Sequence, residues 1–167
     1  MKPEIPVVSI VGHSGSGKTT LLEKLVHELK RRGYRLAVVK HHHHRDLPFD
    51  TPGKDSWRFS QAGADHVVLA GPDKVAHLRY FEQEPTLEQV TAAIQNVDLI
   101  LTEGYKRANS PKIEVCRGKT EATLISSRAH LVAIISDRDV NIDLPRFDVE
   151  DVAAVARFIE ERFLAQP

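Results

Sequence analysis

Cysteine is almost missing. Cys116 stands alone among 167 residues, which excludes an intrachain disulfide and a metal site built from cysteine thiolates only. Net charge is missing as well. Lysine plus arginine and aspartate plus glutamate balance at 23 each, which argues against a general electrostatic binder of nucleic acid while leaving room for a local basic patch. No stretch approaches the roughly 20 apolar residues of a membrane span, so no membrane partner is expected. The opening Met1-Lys2-Pro3-Glu4-Ile5-Pro6 leads into a glycine loop, not a cleavage site, so no signal peptide is expected and the cytoplasm is the expected compartment. Internal repeats, low-complexity tracts and linker-like segments are lacking. The chain is expected to form one domain over 1–167, long enough for a full core.

What is present is concentrated near the start. Gly12-His13-Ser14-Gly15-Ser16-Gly17-Lys18-Thr19 fits the phosphate-loop pattern G-x-x-x-x-G-K-[ST]. The apolar Ile5 to Val11 before it reads as a buried strand. Thr20 to Arg32 after it reads as a helix with Leu21, Leu22, Leu25, Val26 and Leu29 on one face. Strand, glycine loop and helix are the context in which this motif acts. The glycines let backbone approach a phosphate without a side chain in the way. The first helical turn supplies unpaired N–H donors and the positive end of its dipole. Lys18 brings a mobile charge to the β- and γ-phosphates, and the Thr19 hydroxyl suits Mg²⁺. The pattern predicts a nucleoside di- or triphosphate as ligand.

Beyond Gly33, a helix stop, the chain alternates apolar strands with amphipathic helices. Strands are predicted at Arg35 to Lys40, His66 to Ala70, Val75 to Phe81, Val97 to Thr102, Ile113 to Cys116 and Leu131 to Ile135. Helices are predicted at Lys54 to Ala62, after a cap at Thr86, and from Val149 to Leu164. This alternation predicts an α/β fold, a three-layer P-loop arrangement with a mostly parallel central sheet flanked by helices. In such folds ligands collect at the carboxyl ends of strands, so the residues after each strand are the ones to inspect.

Lys40 and His41 end the second strand and could meet phosphate or a partner. The run His41 to His44 could hold a transition metal, but adjacent residues of an extended loop point in alternating directions and cannot all face one ion. A solvated polar loop is the plainer reading of His42 to His44. Asp50-Thr51-Pro52-Gly53 matches the D-x-x-G switch of GTPases, yet it follows no core strand, so the match reads as accidental; Asp50 could still help hold Mg²⁺ if its loop folds over the nucleotide. Glu103 is the better second carboxylate. It ends the core run Leu99-Ile100-Leu101-Thr102, where it could face a Mg²⁺-bound or attacking water, or could simply be a solvated strand-end charge. Lys106 and Arg107 could add positive charge at that rim. Trp57 fits a core or a partner surface equally well. The [NT]-K-x-D guanine signature is absent. Asp137, after the last core strand, could accept from a guanine edge or merely end that strand.

Together these segments resemble the molybdopterin-guanine dinucleotide biosynthesis protein B family (MobB), small P-loop proteins of molybdenum-cofactor maturation. The matching stretches are Gly12 to Leu22, Val39-Lys40-His41 with His43-His44, Pro52 to Ser56, Ala62-Gly63-Ala64, Asp98 to Lys106, Pro111 to Glu114 and Ser136-Asp137. E-G-Y-K stands where the family often has E-G-F-K. The resemblance implies GTP with Mg²⁺ as cofactors, slow GTP hydrolysis at most, and a homodimer. It also implies an adaptor role beside the guanylyltransferase that joins GMP to molybdopterin. The implied nucleotide contacts are Gly12, His13, Ser14, Gly15, Ser16, Gly17, Lys18, Thr19 and Thr20, with Lys40, His41 and Asp137 at the rim. Thr19, Glu103 and Asp50 are the implied Mg²⁺ set, and Lys18 and Glu103 the groups for any hydrolysis. K-H-x-H-H and K-D-S are candidates for touching molybdopterin itself.

Two other classes compete. A small P-loop kinase would need an acceptor pocket and usually an arginine-rich lid, but the arginines at 31, 32, 35, 45, 58 and 79 are scattered. A nucleotide-dependent metal-insertion chaperone would use the histidine run.

Overall fold

The structure, a computed structural model, describes residues 4–42, 50–117 and 124–164. They group into two compact units, one of residues 1–41 and 87–167 and the other of residues 42–86.

The first unit is built on a parallel sheet. Its strands are β1 (Val7–Gly12), β2 (Leu36–Lys40), β5 (Leu99–Glu103), β6 (Lys112–Cys116), β7 (Leu131–Ser136) and β8 (Arg146–Phe147), in the order β2-β5-β1-β6-β7-β8. Every pairing in this sheet is parallel. The strands that carry it, β1, β5, β6 and β7, are buried along nearly their whole length, which is why β1, β5 and β7 read as near-continuous apolar runs in the sequence. The expected α/β P-loop fold is present. β8 is the strand that periodicity does not reveal, because two residues carry no pattern.

Helix α1 (Lys18–Arg31) buries Leu21, Leu22, Leu25 and Leu29, with Val26 partly covered. It packs beside α4 (Val152–Ile159), whose Val155, Ala156 and Ile159 complete the core over Val8, Ile10, Leu101 and Ile113. The predicted helix over 149–164 is shorter than expected. Asp151 caps α4 by accepting from the Ala154 amide at 3.0 Å, and a π-helical turn takes over at Glu160–Leu164. The helix after Thr86 is also short, α3 (Leu87–Thr91), with Leu87 buried and Ala93 exposed.

The opposite surface of the sheet centre is polar yet buried. Thr102 donates to Ser9 Oγ at 2.8 Å, and Ser9 and Ser110 share a hydroxyl bond of 2.6 Å. Lys112 donates to the carbonyls of Ala108 and Ser110, and Glu114 accepts the amides of Ile125 (2.7 Å) and Ser126 (3.0 Å). These groups are tolerated inside because each is hydrogen-bonded.

The second unit holds α2 (Asp55–Gln61) and a hairpin of β3 (His66–Ala70) with β4 (Val75–Arg79), paired antiparallel. Phe59, Val68, Leu69, Val75, Tyr80 and Phe81 expose large apolar surfaces there. No helix among the described residues is long and apolar enough to cross a membrane.

Candidate nucleotide site

Because all strands of the sheet run the same way, their carboxyl ends gather at one edge. Gly12 of β1, Lys40 of β2, Glu103 of β5, Cys116 of β6 and Ser136 of β7 all terminate there. The loop after β1 depends on backbone geometry that only glycine supplies without strain. Gly15 and Gly17 have φ of 74° and 86°. At Gly12 a Cβ would fall 2.5 Å from the carbonyl oxygen of Val115 on the neighbouring strand.

Helix α1 begins at Lys18 with Gly17 as its cap, which has no side chain to bond its first amides, and among the described residues no side-chain cap replaces it. Its first turn holds no acidic residue, while Lys30 and Arg31 sit in its last turn. The contrast with α4 and its Asp151 cap is chemical. The start of α1 keeps its N–H donors and positive potential for an anion. Ser16 Oγ is buried inside this loop with no hydrogen-bond partner among the described residues.

Lys18 arches over the loop and donates from Nζ to the His13 carbonyl at 2.6 Å. Burial pushes its pKa below the usual lysine value; Glu103 opposes that shift, while Lys106 and Lys40 add to it. Thr19 donates its hydroxyl to the Glu103 carboxylate, with its Oγ1 3.1 and 3.0 Å from the two oxygens. Lys40 Nζ lies 3.6 Å from the same carboxylate. The residues predicted from strand ends and from the glycine motif therefore converge. A threonine hydroxyl beside a carboxylate offers hard oxygen donors, the kind Mg²⁺ takes.

His41 also arrives at this rim. Its amide donates to the Glu103 carbonyl at 2.9 Å, and its ring lies 4.6 Å from that of Tyr105. Gly104 permits the approach, since a Cβ there would meet His41 Cβ at 3.0 Å. Tyr105 has a φ of 54°, an unusual state for a bulky residue, fixed here by Gly104 accepting close packing and by Ala108 donating to its carbonyl at 3.0 Å. His13, Ser14 and Thr20 are exposed along the loop and first turn.

Asp137 follows β7 and lies 3.8 Å from Arg117 Nε. Arg117, the residue after β6, also reaches to within 3.4 Å of where a Gly17 Cβ would stand. Arg117 is not among the residues expected from the sequence. A lone arginine after a strand carries no motif, although the rule of inspecting strand ends could have found it.

Asp50 belongs to the second unit. Its Oδ1 accepts from the Thr51 amide at 2.9 Å and from the Ser56 hydroxyl at 2.8 Å, a local link that leads into α2, while its Oδ2 is buried without a partner among the described residues. Trp57 is half-buried on α2. His43 and His44 lie outside the described residues. Among the described residues, no three His, Cys, Asp or Glu side chains group as a metal site.

Comparison with known proteins adds a family to this geometry. The family model of molybdopterin guanine dinucleotide synthesis protein B matches residues 7–137. The chain is similar to the molybdopterin-guanine dinucleotide biosynthesis adapter protein of Haemophilus influenzae, 36% identical over 96% of this chain and 90% of that one. It is equally similar to the adapter protein of the same name from Escherichia coli, at 36% identity over 96% and 94%. Among solved structures, a molybdopterin-guanine biosynthesis protein B superposes with a TM-score of 0.74 at 33% identity, covering 93% of this chain and 98% of that one. Bacillus subtilis MobB superposes with a TM-score of 0.76 at 26% identity, covering 96% and 99%.

Proposed function

This chain belongs to the family of molybdopterin guanine dinucleotide synthesis protein B, and from that premise we propose that it is a GTP-binding adaptor holding Mg²⁺·GTP in the loop Gly12–Thr19. Its place in molybdopterin guanine dinucleotide biosynthesis follows from the family, whose P-loop is a nucleotide site. The observation that carries the nucleotide reading is the convergence of three features: an α1 start that no side chain caps, Lys18 over the loop, and Thr19 bonded to Glu103.

Each residue has a part. The loop amides and the Ser16 hydroxyl would hydrogen-bond phosphate oxygens, and Lys18 would leave the His13 carbonyl for the β- and γ-phosphates. Thr19 and Glu103 would hold Mg²⁺, which when bound offsets phosphate charge. Glu103 would also orient a water at the γ-phosphate, supporting slow hydrolysis at most. Asp137 would accept from the guanine edge.

The expected partners are the guanylyltransferase that joins GMP to molybdopterin, molybdopterin itself near Lys40 and His41, and a second copy of this chain. The exposed apolar side chains of the second unit support that homodimer. A two-stranded hairpin is marginal alone, and its unpaired edges invite pairing.

The test is to add the chain and GTP to that guanylyltransferase with molybdopterin and to follow dinucleotide formation. Wild type should raise the yield. Lys18→Ala should lose most of the effect through a GTP affinity weakened about 10- to 100-fold, the range for hydrogen bonds to a charged group. Equal stimulation by Lys18→Ala, or none by wild type, would contradict the reading.

A further inference from the structure

We infer that Arg117 is a second phosphate-binding cation of this site, set beside Gly17 and paired with the proposed base acceptor Asp137. The inference rests on the nucleotide reading above and deepens it.

The position is set by topology. β6 lies next to β1 in parallel register, with Gly12 opposite Val115. The residue following β6 therefore emerges beside the glycine loop. Arg117 uses that position: Nη1 stands 3.4 Å from the place of a Gly17 Cβ, next to the residue that opens α1. A Cβ at Gly17 would stand in van der Waals contact with the guanidinium, which places the cation against the last turn of the loop.

Its present partners hold it loosely. Asp137 is 3.8 Å away and Glu150 3.9 Å, both beyond hydrogen-bond distance. Glu150 is already committed to Lys24, whose Nζ donates to Oε2 at 2.7 Å. That leaves the guanidinium paired with two carboxylates but not saturated by either. Arginine presents five donors in a planar fork that matches phosphate oxygens. A phosphate held by the amides at Gly17 would offer a stronger, charge-assisted acceptor than either carboxylate at its present separation.

A consequence follows for Asp137. With the guanidinium drawn to phosphate, the Asp137 carboxylate gives up its ion pair at 3.8 Å, and a donor on the base takes that place. Phosphate at one end of the nucleotide thereby favours recognition at the other.

The experiment is calorimetric binding of Mg²⁺·GTP, GDP and GMP to wild type, Arg117→Ala, Arg117→Lys and Lys18→Ala, with circular-dichroism melts to establish that each variant is folded. Arg117→Ala should weaken GTP and GDP about 10- to 100-fold, the span of a hydrogen bond to a charged group, and GMP by much less. Arg117→Lys should recover part of the loss, because it restores charge without the fork. Two results overturn the inference while leaving the nucleotide site intact: unchanged GTP affinity in Arg117→Ala where Lys18→Ala has lost it, or equal weakening of GTP and GMP by Arg117→Ala. Unchanged affinity in both single alanine variants would overturn the nucleotide reading itself and this inference with it.

Discussion

Among the described residues the Glu103 carboxylate accepts the Thr19 hydroxyl and pairs with Lys40 at 3.6 Å. A neutral amide keeps the shape and can still accept from Thr19, but it loses the charge that would hold Mg²⁺ and orient water. Glu103→Gln should therefore lower GTP hydrolysis more than GTP affinity; single-turnover assays beside calorimetry measure both. Equal loss of the two would remove Glu103 from the hydrolytic role. This residue was legible in sequence because a carboxylate at the end of an apolar run declares its position. The conformation of Tyr105 and the reach of Arg117 were not. A positive φ at Tyr105 and an arginine beside Gly17 are products of neighbours distant in sequence. Lys112 and Glu114 were hidden for another reason. Charged residues normally argue against burial, so apolar patterning starts β6 only at Ile113, whereas both lie inside the sheet with their hydrogen bonds made.

Helices α1 and α4 show how local chemistry divides labour between two elements in contact. α4 is stabilised by its Asp151 cap; Asp151→Ala should cost about 1 kcal/mol in a denaturant melt, without weakening GTP. α1 lacks such a cap and ends in an ion cluster. Glu28 accepts from Arg31 at 2.9 and 2.8 Å and from Arg32 at 2.8 Å, and Arg32 continues to Glu160. Hydrogen bonds from Arg31, then Arg32, hold the Glu28 carboxyl down to about 2 from an ordinary value of 4.5. A depressed acid stabilises the fold above its unfolded pKa and loses that contribution as pH falls through the folded one. Glu28→Gln should then melt below wild type at neutral pH, and the gap should close between about pH 4.5 and 2. A gap that persists at pH 2 would assign the difference to packing instead. The apolar stripe of α1 was readable from its spacing alone, whereas the true start of α4 depended on its cap and its end on a π-helical turn.

At the scale of the molecule, the fold class followed from alternating strands and helices, while strand order did not. The order β2-β5-β1-β6-β7-β8 is a matter of which strand edges pair, and with the shared parallel direction it brings residues 18, 40, 103, 117 and 137 to one edge. The antiparallel hairpin of the second unit left a weaker trace, since its exposed valines and leucine read like any other strand.

Guanine-nucleotide binding at that edge is the central expectation. Titrating Mg²⁺·GTP and Mg²⁺·ATP into wild type and Asp137→Ala by calorimetry tests it most directly. A preference for GTP over ATP that Asp137→Ala abolishes is the predicted result. Equal affinity for the two nucleotides in wild type, or a preference for ATP, would contradict it.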